Sequence, residues 1–260
     1  MFKKLLQYFL ILLFIFPFIS SCGGANRHTV NDIAPLESFV YLRKVLTVHR
    51  CEDNLCTSVD LKYSASGYVI KIVDDGSFAI TAAHVCETAD LPTVNPKDVS
   101  SKYLAYRLDG EEYRASVLEY NMDIDACMIF IKDLTDGVEA VKISRRAPKP
   151  GDKVYNIAAP LGIYKPNIVP ILEGRYNGED ENIALYSLPA APGSSGSMIV
   201  NESGQLIGMV HSVFTRFHVM TLSTRYVDLK NFIRNNLKKY MTYKEVMNIL
   251  NLKDIFEPNP

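Results

Sequence analysis

The sequence GSSGS, residues 193–197, lies between the segment LPAAP and the apolar run MIV. A cluster of glycine and serine between two β-like segments is usually a tight turn. The same cluster can instead hold a serine nucleophile, here Ser195, at a sharp bend beside backbone N–H groups. Residues elsewhere in the chain distinguish these two interpretations.

Two earlier segments supply the residue types that a serine nucleophile requires. The run AITAAHVC (79–86) places His84 directly after small residues, and NMDIDACMIFI (121–131) places Asp125 at the start of an apolar strand. Asp123, two residues earlier, is the alternative acid. A serine hydroxyl needs a base to remove its proton, and the base needs an acid to hold its tautomer and stabilise its charge. The order His, Asp, Ser in one chain therefore indicates a catalytic triad, although each segment alone has an ordinary structural explanation.

The chain between about residues 38 and 228 consists of short β-rich segments separated by turn signals, which predicts an all-β barrel or sandwich. The Asp-Gly pairs in DDGS (74–77) and LDGEE (108–112) predict hairpins. The polar segment 132–149 predicts a connection between two halves. After Tyr226 the apolar residues recur at helical spacing, which predicts a closing helix and a short helical tail. The apolar residues of the closing helix are Val227, Phe232, Ile233 and Leu237.

The three segments, in this order, resemble those of the chymotrypsin-fold, trypsin-like serine proteases. The bacterial HtrA/DegP-like branch is the nearer match, because PKPGDKVYNIAAPLG (148–162), SASGYVI (64–70) and NESGQLIGMVHS (201–212) are similar to its strand patterns. The resemblance covers about residues 60–233. It implies an all-β fold of two antiparallel barrels with a C-terminal helix, and a serine endopeptidase without cofactor or metal.

The resemblance also implies a domain organisation. The protease domain would span residues 37–233, with the first barrel at about 37–135 and the second at about 149–228. Residues 234–260 would form a helical C-terminal tail, which is too short for a PDZ domain. The resemblance to HtrA is therefore expected to cover the protease module alone.

The same resemblance assigns roles to individual residues. His84 would be the base, Asp125 the acid and Ser195 the nucleophile, and the backbone N–H groups of Gly193 and Ser195 would form the oxyanion hole. Ser194 stands where activatable family members carry an acid that pairs with a newly cut N-terminus. Activation of that kind is therefore not expected here.

The same resemblance implies which residues form the specificity pocket. Pro189, six residues before the nucleophile, would lie at the base of the pocket, and its walls would include His211, Ser212 and Val213. Because Pro189 carries no carboxylate, a preference for Arg or Lys would lack its counter-charge. Small or apolar side chains are the expected substrates of this pocket.

The first 22 residues have the layout of an export signal. MFKK gives a positive start, a long apolar run follows, and Ile19-Ser20-Ser21-Cys22 resembles the bacterial lipobox. This pattern predicts a signal peptide at 1–21, an acylated Cys22 and a flexible tether at 22–36. The product would be a membrane-anchored lipoprotein facing the periplasm or the cell exterior. An ordinary cleaved signal and an uncleaved signal anchor are the alternatives.

Cysteine usage is consistent with export. The chain has five cysteines, and with Cys22 acylated an even number remains, which in an exported protein predicts disulfides. Cys51 and Cys56 form the natural local pair, which leaves Cys86 with Cys127; two buried free thiols are the alternative for the second pair. The histidines show no ligand spacing and there is no CxxC pair, so no metal site is expected.

A net charge of −1 without a basic patch gives no indication of a nucleic-acid partner. The sequence therefore favours an exported, lipid-anchored serine endopeptidase that acts on proteins or peptides through an acyl-enzyme. A protease fold used as a chaperone-like or inhibitory binding module, with little turnover, is one alternative. A structural all-β lipoprotein is another. The oligomeric state is not determined by these patterns.

Overall fold

The computed structural model describes residues 33–52, 55–87, 99–214 and 219–249 of the 260-residue chain. Side-chain surroundings are described within 33–49, 57–87, 99–214 and 219–241. The predicted signal peptide, Cys22 and most of the predicted tether lie outside these ranges.

The first half of the described chain forms a closed antiparallel barrel with the strand order β1-β2-β3-β6-β5-β4. Its core consists of aliphatic side chains such as Val69, Ile129 and Ile131, all of them 0–1% exposed. The turn between β2 and β3 forms at the predicted Asp-Gly pair. Residue 76 has to be glycine there, because a Cβ would lie 2.3 Å from the Ile131 carbonyl oxygen. The six strands are β1 (Phe39–Glu52), β2 (Leu55–Val73), β3 (Gly76–Thr81), β4 (Val99–Tyr106), β5 (Glu112–Asn121) and β6 (Ala126–Lys132).

The second half forms another closed antiparallel barrel, with the order β10-β11-β12-β9-β8-β7. Its core includes Val154, Tyr186, Leu188 and Ile199, each 0% exposed. Two closed antiparallel barrels confirm the predicted chymotrypsin-like, all-β fold. The strands are β7 (Lys153–Ile157), β8 (Ile171–Glu179), β9 (Ala184–Ser187), β10 (Met198–Asn201), β11 (Leu206–Val213) and β12 (Met220–Thr224).

Residues 133–152 connect the barrels and contain no strand, as the polar composition of 132–149 predicted. The connection is attached to both barrels. The backbone N–H of Val141 donates to the Val69 carbonyl of β2 at 2.9 Å, and that of Ser144 donates to the Leu206 carbonyl of β11 at 3.0 Å. These bonds tie the connection to both halves of the fold.

Two α-helices are described, the single turn α1 (Ala83–Cys86) and the long α2 (Tyr226–Ile249). Helix α2 is continuous across residue 234, where the sequence predicted a separate tail. Its buried face includes Leu229, Phe232 and Ile233, whereas Val227 is 40% exposed. Short 3₁₀ turns occupy Leu36–Ser38 and Pro160–Gly162.

Helix α2 contacts both barrels. The Tyr226 hydroxyl donates to the Ser144 carbonyl of the connection at 2.5 Å, and the Tyr240 hydroxyl donates to the Leu118 carbonyl of β5 at 2.6 Å. The helix also contacts β6 of the first barrel and β11 of the second, so it packs across the two halves. Neither helix of the described ranges combines the length and the apolarity that a membrane span requires.

A disulfide joins Cys86, at the end of α1, to Cys127 on β6, as the cysteine pattern predicted. It links two segments that are 41 residues apart in sequence. Cys51 and Cys56 face each other in the register of β1 and β2. Their side chains lie outside the described ranges, so this second pairing stays a prediction.

The double substitution Cys86→Ala and Cys127→Ala should lower the free energy of unfolding by about 4 kcal/mol, because the crosslink closes a long loop in the unfolded chain. Urea denaturation of the oxidised proteins, followed by circular dichroism, measures the loss. Reduced wild-type protein is the control and should lose at least this amount, because reduction also opens the predicted Cys51–Cys56 bond. Equal stability of the oxidised wild type and the double variant would contradict the prediction.

Candidate active site

The predicted catalytic residues meet where the two barrels face each other. A cavity of about 300 Å³ lies there, and both His84 and Ser195 line it. The rest of its lining comes from β1, β2, the residue after His84 and the loop before β10: Lys44, Leu46, Tyr63, Ser64, Ala65, Val85, Pro192 and Gly193.

His84 is presented by the end of β3 and the first turn of α1. The preceding Ala82 and Ala83 are 0% exposed, so the histidine follows a segment that is packed inside the protein. The serine loop approaches this segment so closely that residue 196 has to be a glycine. A Cβ at Gly196 would lie 2.2 Å from Thr81 Oγ1 and 2.6 Å from the Ala82 nitrogen. The imidazole of His84 remains 43% exposed at the cavity.

Asp125 is presented by the tight turn between β5 and β6. Asn121 Oδ1 accepts the backbone N–H of Asp123 at 2.9 Å, which starts the turn with a local side-chain bond. Asp125 ends the turn with a φ of 48°, a left-handed conformation that Asp tolerates better than most residues. Its carboxylate is thereby turned inward, and the residue is only 3% exposed.

The His84 ring is hydrogen-bonded to this buried carboxylate. Nδ1 lies 3.0 Å from Asp125 Oδ1 and 2.9 Å from Oδ2, and the His84 backbone N–H also donates to Oδ1 at 2.9 Å. An ionised carboxylate only accepts, so Nδ1 carries a proton, and in the neutral ring Nε2 is then the unprotonated nitrogen. Asp123, the alternative acid, is exposed and bonds within its own turn.

A second histidine, His211 of β11, approaches the same carboxylate. Its Nε2 lies 3.4 Å from Asp125 Oδ2, and its Nδ1 lies 3.3 Å from the Ser212 hydroxyl. The sequence placed His211 in the wall of the specificity pocket. Nothing in the local sequence indicated a contact with Asp125, because the two residues come from different barrels.

The loop that carries Ser195 holds its peptide groups in a defined orientation. The Pro192 carbonyl accepts the Leu161 N–H at 2.6 Å, and the Ser194 carbonyl accepts the Ser197 N–H at 3.0 Å. The C=O and N–H of a trans peptide point in opposite directions. The N–H groups of Gly193 and Ser195 therefore point away from these two anchors. Among the described residues, neither N–H donates to a backbone carbonyl.

Gly193 allows this orientation because it lacks a side chain. Its φ is 97°, and a Cβ would lie 2.5 Å from the Ala159 carbonyl oxygen. Both the backbone conformation and the contact would be strained for any other residue. Backbone N–H groups that are not used by other backbone carbonyls are able to donate to an oxyanion.

The Ser195 hydroxyl shares the cavity with His84 but is not hydrogen-bonded to it in the part of the chain that is described. Catalytic hydrogen bonds are often long in the absence of substrate and shorten in the complex. Hydrogen bonds thus join His84 to Asp125, and His84 and Ser195 line the same cavity.

Ser66 of β2 is a site residue that the sequence reasoning missed. Its hydroxyl donates to the Gly193 carbonyl at 2.8 Å and accepts the Ala159 N–H at 2.9 Å. Its backbone N–H donates to the Ser195 carbonyl at 3.0 Å. The segment SASGYVI contained the signal, a small polar residue before Gly67 in an apolar strand, but its partners lie far away in sequence.

Lys44 of β1 is a second missed residue. It is 6% exposed at the cavity, its ammonium donates to the Glu87 carbonyl, and it lies 5.6 Å from the ring centre of Tyr103. Burial lowers the pKa of Lys44, and the nearby charge of Glu87 opposes that change. Leu42 and Leu46 are buried on the same face of β1 as Lys44. Because side chains alternate along a strand, the sequence pattern could have predicted that Lys44 points inward.

The other predicted pocket residues lie on the second barrel. Pro189 is exposed in the loop between β9 and β10, and Ser212 and Val213 are half-buried on β11. The Thr221 hydroxyl donates to the Leu188 carbonyl at 2.6 Å, which attaches that loop to β12. The role of these residues in specificity stays a prediction.

Many solved structures are similar to this chain, and three of them illustrate the likeness. They are the serine endoprotease from Yersinia pestis (TM-score 0.58, 17% identity) and two structures of the HtrA-type protease AlgW with decapeptide (TM-scores 0.61 and 0.63, identities 18% and 17%). They cover 79–80% of this chain, which spans 64–66% of theirs. At this identity the likeness shows the fold. A search of curated protein sequences gives no match.

A sequence model of the trypsin-like peptidase domain matches residues 65–209, which is more than half of the chain. The matched segment begins one residue before Ser66 and ends at Met209 of β11. It includes His84, Asp125 and the complete GSSGS loop. The chain belongs to the trypsin-like peptidase domain family.

Proposed function

We propose that this protein is an exported, lipid-anchored serine endopeptidase that hydrolyses peptide bonds through Ser195, His84 and Asp125. One observation carries the proposal. The His84 ring is bonded through Nδ1 to a buried carboxylate, and it lines the same cavity as Ser195. A binding surface alone has no need of a base that is oriented in this way.

In the proposed first step, Ser195 Oγ attacks the carbonyl carbon of the substrate peptide. His84 Nε2 takes the hydroxyl proton as the new C–O bond forms. Asp125 holds the Nδ1–H and stabilises the imidazolium without taking its proton. Burial of the carboxylate strengthens this interaction, because the effective dielectric is lower than in water.

The carbonyl oxygen of the substrate becomes an oxyanion in this step. The N–H groups of Gly193 and Ser195, directed away from their anchored carbonyls, would donate to it. Each such donor is worth about 3 kcal/mol of transition-state stabilisation. The orientation of the two peptide groups exists before substrate binds, so no reorganisation is needed at that moment.

Collapse of the tetrahedral intermediate breaks the C–N bond. His84 then gives its proton to the leaving amine, which leaves an acyl group on Ser195 Oγ. Water attacks the acyl-enzyme by the same route, with His84 again as the base, and releases the second product. The two similar AlgW structures contain a decapeptide, which supports peptides or proteins as the class of substrate.

A fluorophosphonate reagent tests the nucleophile and separates an enzyme from an inactive binding module. Wild-type protein should be labelled at Ser195, because the reagent reacts with activated serines, and Ser195→Ala should not be labelled. Labelling is measured by in-gel fluorescence and intact mass. Ser203→Ala, on an exposed turn, is the matched control. Absent labelling of the wild type, or equal labelling of Ser195→Ala, would contradict the proposal.

A pair of acid variants tests the role of the buried carboxylate. Asp125→Asn should lower kcat by about 10,000-fold, because the amide NH2 can donate to His84 Nδ1 and favour the tautomer in which Nε2 carries the proton. Asp123→Asn changes an exposed residue two positions away and should keep activity within a few-fold. Hydrolysis of a fluorogenic peptide measures both variants. Loss of activity in Asp123→Asn with retention in Asp125→Asn would assign the acid to the other residue.

The proposal of export and lipid anchoring rests on the sequence of the first 22 residues. The charged start, the apolar run and Ile19-Ser20-Ser21-Cys22 follow the order of a lipoprotein signal. The disulfide between Cys86 and Cys127 supports an oxidising compartment. A tethered enzyme would act on substrates at the membrane surface.

The anchoring is tested with Cys22→Ala. The wild type should partition into the detergent phase and carry a diacylglyceryl mass at its processed N-terminus. The variant should lack that mass, because the acyl acceptor is the thiol of Cys22. Ser21→Ala keeps a small residue before the cysteine and should be processed normally. A lipid-bearing, processed Cys22→Ala protein would exclude the proposed site.

A further inference from the structure

The connection between the two barrels carries a cluster of cations. Lys142, Arg145, Arg146 and Lys149 lie close together in sequence, and all four are exposed. They line one cavity of about 690 Å³, which also borders the turn between β10 and β11. These four residues are called the basic cluster below. The overall charge of −1 conceals this local excess of cations, because Asp152 is the one acidic residue of the described lining.

The side chains of the basic cluster lack acidic partners within the described residues. None of them forms an ion pair or donates a hydrogen bond there. Lys153, which follows shortly in sequence, differs because its ammonium lies 3.0 Å from a Glu173 oxygen. The Asp152 carboxylate accepts the backbone N–H of Lys149 at 2.8 Å, so it is engaged with the backbone. Like charges gathered at one cavity repel one another, and an anion placed there would relieve that repulsion.

The backbone beneath the basic cluster is fixed to the second barrel. The Leu206 N–H of β11 donates to the Lys142 carbonyl at 2.8 Å, and the Ser144 N–H donates to the Leu206 carbonyl at 3.0 Å. The buried Ser144 hydroxyl donates to the Arg146 carbonyl at 2.8 Å, and the Ser144 carbonyl accepts the Tyr226 hydroxyl at 2.5 Å. The charges are therefore carried by an ordered backbone, which reduces the entropy that is lost when an anion binds.

The first described residue of the chain lies beside the same cavity. A Cβ at Gly204 would lie 2.3 Å from the Ile33 carbonyl oxygen, so Ile33 packs against the turn between β10 and β11. The next residue of that turn, Gln205, lines the cavity of the basic cluster. Ile33 follows the proposed acylated Cys22 by 33 − 22 = 11 positions, and a chain of that length spans at most about 40 Å. A lipid anchor at Cys22 would therefore keep this face of the protein within that distance of a membrane.

We propose that the basic cluster binds the anionic headgroups of phospholipids in the membrane that holds Cys22, and that it thereby orients the protease domain on that membrane. This inference rests on the proposed lipid anchoring and adds a second contact with the same membrane. Attraction between clustered cations and anionic headgroups falls off within a Debye length, so it acts only where the face is held close to the bilayer. The anchor would supply that closeness as an effective concentration. Nucleic acid is a poorer match, because the described lining contains no aromatic ring on which bases could stack.

Acetylation of lysines in proteoliposomes tests this contact. The full-length, processed protein is reconstituted into vesicles of phosphatidylcholine, with or without phosphatidylglycerol, and treated with a membrane-impermeant acetylating reagent. Lys142 and Lys149 should react at least about five-fold more slowly in the anionic vesicles, because headgroups cover them, and about 0.5 M salt should remove the difference. Lys62 and Lys71, exposed on β2, are internal controls and should react equally in both kinds of vesicle. Peptide mass spectrometry measures each rate.

A double variant tests whether the cations act together. Arg145→Gln combined with Arg146→Gln removes two charges but keeps both reporter lysines. It should lose most of the protection, because attraction to an anionic surface grows with the number of cations. Lys102→Gln combined with Arg114→Gln removes the same charge from exposed positions of β4 and β5, and this matched control should keep the protection. Thermal unfolding shows whether both variants retain the fold.

The outcomes separate this inference from the proposed anchoring. A chain that carries no lipid would contradict the anchoring, but it should still float with anionic vesicles at low salt and not with neutral ones. Equal acetylation of Lys142 and Lys149 in the two kinds of vesicle, or full protection in the Arg145→Gln, Arg146→Gln variant, would overturn the inference. Equal protection by inorganic phosphate or by DNA in the presence of neutral vesicles would assign the basic cluster to another anion and would also overturn it.

Discussion

The geometry of the site depends on the contact between Ser66 of the first barrel and the loop that carries Ser195. Ser66 is 0% exposed, and its hydroxyl and its backbone N–H both bond to the second barrel. The Thr81 hydroxyl in turn donates to the Ser66 carbonyl at 2.8 Å, three residues before His84. A buried polar group without a partner costs roughly 1–3 kcal/mol, so these bonds resist any displacement of one barrel against the other. The position of Ser195 relative to His84 follows from them.

Asp125 adds a second constraint, because a buried carboxylate is costly unless its oxygens are satisfied. The donors are the backbone N–H and the ring of His84, which between them contact both carboxylate oxygens, and His211 Nε2 also lies 3.4 Å from Oδ2. The left-handed φ of Asp125 and that of Gly193 are both found within this small region. Unfavourable conformations and buried charge concentrate where the proposed chemistry occurs, and the closed barrels around them supply the stability that tolerates both.

The features of this molecule that could be predicted from the sequence are those that depend on local residue patterns. The β-rich segments and the Asp-Gly turns predicted an all-β fold, and the polar segment 132–149 predicted a connection between two halves. The resemblance to the trypsin-like proteases implied two barrels, and the cysteine count led to the bond between Cys86 and Cys127. The contacts of Ser66 and His211 could not be predicted in this way, because each joins residues that only the tertiary fold brings together. Val227 has helical spacing but is exposed, since the direction of the helix face is set by packing on both barrels and not by period alone.

Detection of the acyl-enzyme tests the central claim most directly, because it requires the nucleophile, the base and the oxyanion hole to act together. The protein is mixed with an activated ester, quenched in acid within milliseconds to seconds, and its intact mass is measured. The account predicts one acyl group per chain, mapped to the peptide that contains Ser195, and a greatly slowed reaction in His84→Ala. No covalent adduct in the wild type, or an adduct on another residue, would contradict it.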